Sequence, residues 1–172
     1  RPQAGRMRQF HQYGVEAIGS ASPWVDVEVI ALCAHILKGC GVHDLTVWLA
    51  SMGCRKDQER SAEALRKRLE PQKSKLCKEC QARLKKNVFR VLDCKHPACH
   101  AIAWTKESPF LLCEQCVRHF DAVRRGLTEA GIAFDDTQVF ARGLDYYTRT
   151  VFEVRAKGLA FKIRRGGGGF CG

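Results

Sequence analysis

The 172-residue chain is 45% hydrophobic and 27% charged, a globular balance that suits one domain, or one domain carrying an insertion, and excludes a low-complexity or fibrous class. No apolar run reaches the roughly 18 residues a membrane crossing needs, residues 27–37 being interrupted by Glu28 and His35, and no apolar signal core opens the sequence, so a soluble, cytoplasmic protein with no membrane partner is expected. The net charge of +11 favours a polyanionic partner through phosphate neutralisation and counterion release, although basic helices are also common as plain solvated surface.

The sequence opens on Arg1 inside a polar, arginine-rich stretch, as a piece of a longer protein would. Residues 1–8, with Gly5, suit a loop, and residues 9–19 a strand that leads into the turn-rich GSAS. Ser22 before Pro23 predicts an N-cap with proline in the first helical position, Val27, Ile30, Ala31, Ala34 and Leu37 follow a period near 3.6, and Lys38 and Gly39 predict the end. Residues 45–50, LTVWLA, predict a buried strand.

From about Gly53 the character shifts to SAEALRKRL, then Pro71, then CKECQARLKK, and residues 51–116 carry 15 basic against 8 acidic side chains. This predicts a helical insertion that ends in a long amphipathic helix with Leu112, Cys116, Phe120, Val123 and Leu127 as its stripe and Gly131 as its cap. Strands are expected again at 137–141, 146–154 and 159–164, with a hairpin at 156–158, before a glycine run. The pattern divides the chain into a core segment 1–53, an insertion 54–136 and a second core segment 137–172, in an α+β fold.

Ten cysteines in an intracellular setting argue for thiols or a metal rather than a disulfide scaffold. Cys77 and Cys80 form one C-x2-C pair and Cys113 and Cys116 another, with Cys94 and Cys99 between them and Cys54 upstream. Such knuckles place two thiolates on one tetrahedral ion, so four of the six cysteines Cys77, Cys80, Cys94, Cys99, Cys113 and Cys116 predict about one structural zinc. The alternative is that several are buried small hydrophobes, Cys116 lying on the apolar stripe. Cys33 and Cys40 suit the core, and His96 and His100 have no ligand-like partner spacing.

Residues 141–153, ARGLDYYTRTVFE, place an arginine, two tyrosines and a glutamate on a turn running into a strand. Alternation puts Tyr147, Arg149, Val151 and Glu153 on one face and Tyr146, Thr148, Thr150 and Phe152 on the other. Arg142 at the bend offers a planar donor fork for a carboxylate or phosphate, or is an ordinary solvated arginine.

Taken with RPQAGRMRQFHQYGVEAIG at 1–19, this stretch resembles the histidyl-tRNA synthetase family of class II aminoacyl-tRNA synthetases. The amino-terminal segment is similar to the family's motif 2 loop and second motif 2 strand, residues 141–153 to its histidine-binding signature, and DVEVI at 26–30 and the glycines 166–169 fall in the family's order. The resemblance implies a class II antiparallel sheet flanked by helices, incomplete here, with a helical insertion that leans on tRNA. It implies ATP-dependent adenylation of histidine, with Mg2+ on the phosphates, transfer to tRNA(His), and a homodimer.

Carried over residue by residue, the resemblance puts Arg142 at the histidine carboxylate and α-phosphate, a role of positioning and electrostatic stabilisation. Glu16 and Tyr147 match the groups that hydrogen-bond the two imidazole nitrogens, and Gln12 the group that orients the α-amino and carboxylate end. Phe10 matches the aromatic that stacks on adenine, and a phenylalanine there equally suits a core. Arg1, Gly5, Arg6 and Arg8 match the loop that handles ATP phosphates and the tRNA end. Gly168 and Phe170 lie in the family's glycine-rich strand, where the family usually has tyrosine in place of Phe170 and aspartate in place of Cys171. A phenol lost at Phe170 removes one hydrogen bond, worth roughly 0.5–1.5 kcal/mol.

Two other functions fit parts of the sequence. The synthetase-like regulatory subunit of ATP phosphoribosyltransferase shares the resemblance, but typically has an eroded signature and no large insertion. A zinc-bearing nucleic-acid-binding module fits the charge and cysteines and leaves Gln12, Glu16, Arg142 and Tyr147 unexplained. Because motif 1, the first motif 2 strand, motif 3 and an anticodon-binding domain have no counterpart in these residues, the 172 residues alone are expected not to charge tRNA.

Overall fold

A computed structural model describes residues 9, 11, 13–104, 108–137 and 147–156. Helix α1 runs Pro23–Gly39, and its start is the one the local chemistry calls for: Ser22 is extended, and its hydroxyl accepts from the Trp24 N–H at 3.3 Å. Its end differs from expectation. Gly39 is still helical and Cys40 is the C-cap, while Gly41 takes the left-handed conformation at φ 79°. The Gly41 N–H then donates to the Lys38 carbonyl and the Val42 N–H to the Leu37 carbonyl, both at 2.9 Å, closing the helix two residues later than Gly39 would. At that cap Cys40 is exposed, not in the core, whereas Cys33 is half-buried as the helix periodicity requires.

Strand β1, Leu45–Ser51, alternates buried and half-buried positions. It is the middle of three strands, ordered β2-β1-β3, with β3 at Thr150–Ala156 antiparallel to it from Leu45 opposite Ala156 to Ser51 opposite Thr150. Strand β2, Phe134–Asp135, is parallel to β1, so the described sheet is mixed, not purely antiparallel. Two residues are too few to leave a pattern in the sequence, and β2 exists because the Val47 N–H finds the Ala133 carbonyl at 3.1 Å.

One sheet face is covered by α1 and by α5, Glu114–Glu129, through Val27 and Ile30, Val47 and Leu49, Val123 and Leu127, and Phe152 and Val154. Most of the expected stripe holds, with Cys116, Val123 and Leu127 buried, Phe120 half-buried and Gly131 closing the helix at φ 67°, but Leu112 precedes α5, whose N-cap is Cys113. Where α5 crosses α1, a Cβ on Gly126 would lie 2.7 Å from both Trp24 Cζ3 and Val27 Cγ2. Gly126→Ala gains about 1 kcal/mol of helix propensity but overpacks this crossing, a cost of about 1–3 kcal/mol. A net loss of roughly 1 kcal/mol is expected by urea denaturation; a stabilised variant would show that the crossing is looser than it looks.

A second core lies beyond the end of β1. Helix α2, Arg55–Leu69, a 3-10 turn Glu70–Lys75, helix α3, Lys78–Lys86, a 3-10 turn Val88–Val91 and helix α4, Pro97–Ala103, enclose Leu65, Leu69, Leu76, Leu84, Val88, Val91 and Leu92. Met52 and Val151 join it from the sheet, so β3 sends Val151 to this core and Phe152 and Val154 to the helix-covered one. Local polar groups set the breaks: Asn87 Oδ1 accepts the Phe89 N–H at 3.1 Å and ends α3, and Pro97 opens α4.

One expected strand is not formed by the described residues, and of another only Thr137 is described. Residues 13–18 are irregular, with Tyr13, Val15 and Ile18 exposed and no ladder partner among the described residues, because alternation makes a strand only where a neighbour pairs with it. Thr137 is a bend whose N–H and hydroxyl both bind Asp135 Oδ1, and the rest of 137–141, like 159–164 and the hairpin at 156–158 beyond Ala156, lies outside the described residues.

Candidate functional site

The signature strand is anchored at the point where β1 ends. One step beyond the last ladder pair, the Met52 N–H donates to the Arg149 carbonyl at 2.8 Å and the Arg149 N–H to the Gly53 carbonyl at 2.7 Å. Both Arg149, at φ 58°, and Gly53, at φ 72°, are left-handed. That twist breaks the expected alternation. Tyr147 and Val151 do pack against the same core, but the Arg149 side chain leaves their face, reaching the Ala21 carbonyl and His119 Nδ1 at 3.4 Å each. His119 Nε2 in turn meets Asp26 Oδ2 at 2.9 Å, so α1, α5 and the signature are joined by one polar chain.

Helix α2 holds the other side of the signature, Gln58 Nε2 donating to the Tyr147 carbonyl at 2.8 Å. On the face shared with Val151, buried Glu153 pairs with Arg155 at 2.9 Å, and the Arg155 guanidinium lies 3.1 Å from the centre of the Trp48 ring. Tyr147 is half-buried, and Glu16 is exposed in the irregular segment ahead of α1. Arg142, Gln12, Gly168, Phe170, Arg1, Arg6 and Phe10 lie outside the described residues.

The six singled-out cysteines do not form one pool. Cys77, Cys80, Cys94 and Cys99 converge, their sulfurs all within 4.8 Å of one another, while Cys113 and Cys116 stand in a separate group with Cys54 and Asp57. In the first group Cys77 is the N-cap of α3 and Cys80 lies three residues on, so a C-x2-C spacing turns both thiols to one point. Cys77 Sγ and Cys94 Sγ are 3.9 Å apart, too far for a disulfide and close to the roughly 3.7 Å between thiolates held at about 2.3 Å on a tetrahedral ion.

Backbone N–H groups point at the sulfurs, from Cys77 to Cys99 at 3.2 Å, from His96 to Cys94 at 3.4 Å and from Cys80 to Cys77 at 3.5 Å. It is the amide of His96 that serves the centre, while the His100 ring stacks on Trp104. The Cys80 N–H, with the neighbouring thiols, brings the Cys77 thiol down to about 7. Burial pushes Cys80 and Cys99 up, as it does wherever thiolates lack a cation. The donor set, its spacing and its N–H···S bonds fit a closed structural zinc site.

Asp57 and Gln58 are absent from any reading by cysteine count or signature. The signal for Asp57 was its spacing of three from Cys54, the same interval as in C-x2-C.

Compared with known protein families, the chain matches the histidyl-tRNA synthetase family over residues 1–168. The chain belongs to the histidyl-tRNA synthetase family. It is similar to the histidine–tRNA ligase of Moorella thermoacetica, 45% identical over an alignment of 172 positions that covers 98% of this chain and 40% of that protein. The histidine–tRNA ligase of Aquifex aeolicus is 41% identical over an alignment of 170 positions that covers 97% of this chain and 42% of that protein. The chain thus spans about two fifths of the length of the curated relatives it matches. Among solved structures, the apo S. aureus histidyl-tRNA synthetase aligns with a TM-score of 0.64 and 30% identity, over 89% of this chain and 37% of that one. The synthetase fold agrees with the α+β class expected from the sequence.

Proposed function

We propose that these residues form part of the catalytic domain of a histidine–tRNA ligase, which activates histidine with ATP and Mg2+ and transfers it to tRNA(His). The observation that carries this is the family match over residues 1–168, together with an uninterrupted RGLDYYTRTVFE at 142–153. Arg142 faces the carboxylate and α-phosphate, Glu16 and Tyr147 take the two imidazole nitrogens, and Gln12 orients the amino-acid backbone. Phe10, Arg1 and Arg6 bind ATP, and Gly168 and Phe170 border the histidine pocket. The first cysteine centre holds a structural zinc that closes the insertion, which presents its basic face to tRNA.

The proposed division into 1–53, 54–136 and 137–172 is supported by the separate core of α2, α3 and α4, whereas α5 and β2, inside 54–136, pack with α1 and the sheet. The enzyme works as a cytoplasmic homodimer. Among the described residues no helix is long and apolar enough to cross a membrane.

The test is histidine-dependent ATP–pyrophosphate exchange in a protein of the relatives' length that carries these residues. Exchange is expected, and its absence would favour the regulatory subunit of ATP phosphoribosyltransferase. In the same protein Glu16→Gln, which keeps the size and removes the charge, should lower kcat/KM for histidine roughly 10- to 100-fold, from a charge-assisted hydrogen bond of about 1.5–3 kcal/mol. Unchanged kcat/KM would remove Glu16 from the pocket.

A further inference from the structure

The geometry points to a second metal centre, built by Cys54, Asp57, Cys113 and Cys116, that takes a zinc-class divalent cation. One ligand atom from each of the four lies within 4.8 Å of all the others. The arrangement repeats one device twice: Cys54 is the N-cap of α2 with Asp57 three residues on, and Cys113 is the N-cap of α5 with Cys116 three residues on. Two helix starts therefore aim four donors at one point.

The buried carboxylate separates this group from an ordinary capping box. Asp57 is 1% exposed, and only Oδ2 serves the cap, accepting the Cys54 N–H at 3.3 Å. Its Oδ1 is buried without a hydrogen-bond partner, and the Arg60 guanidinium stands 3.8 Å off, beyond hydrogen-bond reach. An acid that only caps a helix at the surface has no need to bury its second oxygen unsatisfied; a cation between it and three sulfurs satisfies that oxygen.

The donors fit zinc, whose structural sites are tetrahedral and accept thiolate and carboxylate together. Their combined negative charge is eased by the positive ends of the 15-residue α2 and the 16-residue α5.

The centre also has a mechanical consequence, which rests on the proposed ligase function. It clamps the start of α2 to the start of α5, and from that clamp Gln58 holds Tyr147 and Gly53 holds Arg149. The second ion would thus position the histidine-binding signature from behind, without touching substrate.

Elemental analysis of the reduced, zinc-loaded 172-residue chain should give two zinc ions per chain. Cys116→Ser should leave one, and Asp57→Cys, which supplies a fourth thiolate, should keep two. The unaltered chain provides a check that needs no variant: zinc should protect the half-buried Cys54 and Cys113 from iodoacetamide, while exposed Cys40 reacts throughout. One ion that is lost in Cys80→Ser, with Cys54 and Cys113 alkylated equally with and without zinc, would overturn the second centre and leave the first intact. One ion lost in Cys116→Ser but kept in Cys80→Ser would support the second centre and overturn the first. A folded, zinc-treated chain with no ion would overturn both.

Discussion

Chelating the zinc proposed at Cys77, Cys80, Cys94 and Cys99 is expected to unfold residues 76–103 and leave the sheet with α1 and α5 standing. Three of these thiols, Cys80, Cys94 and Cys99, belong to the buried core that they would tie together. The flanking helices have nine and seven residues, below the roughly 12–15 that a helix needs to be even marginally stable alone. A structural zinc contributes about 10–16 kcal/mol in small finger peptides, as much as the roughly 5–15 kcal/mol that holds a whole domain. Hydrogen exchange before and after chelation reads the effect directly. Amides of 78–86 and 97–103 should lose protection while those of 45–51 keep it, and equal protection in both states would show that packing alone holds this module. Cys80→Ser should reproduce the loss.

Gly53→Ala is expected to be the most damaging change that removes no atom from the protein. At φ 72° a side chain is strained by about 1–2 kcal/mol, and the added Cβ would fall 2.6 Å from Asp57 Cβ, 2.8 Å from Asp57 Oδ2 and 3.0 Å from Leu112 Cδ2. Two of these three neighbours belong to the first turn of α2, so overpacking adds about 1–3 kcal/mol. Gly131→Ala is the control: its φ is 67° but nothing lies within 4 Å of the new Cβ, so it carries the strain alone. Urea denaturation should place Gly53→Ala below Gly131→Ala by roughly 1–3 kcal/mol. Equal losses would mean that Asp57 moves aside freely, and would weaken the case for a fixed ligand there.

Features set by near neighbours in sequence were legible. Ser22 and Pro23 start a helix because the hydroxyl and the missing N–H act within one turn. Leu45–Ser51 reads as a strand because its side chains alternate, and Val123 and Leu127 read as a buried stripe because a helix repeats every 3.6 residues. The 142–153 stretch and the two C-x2-C pairs are local motifs of the same kind, which is why the family was visible in the bare chain and a metal could be proposed from it. Residues 13–18 show the limit of such reasoning: their pattern allows a strand, but a strand exists only through a partner.

By itself the sequence determined the start of α1, the central strand, the family and the paired cysteines, all carried by residues within a few positions of one another. Only the tertiary structure decided that Cys113 and Cys116 desert the other four cysteines for Cys54 and Asp57. It alone turned Arg149 away from Tyr147 toward His119 and Asp26, and laid β2 parallel beside β1. Each of these depends on which distant segments meet, and that is settled by burying two cores at once rather than by the preferences of any short stretch.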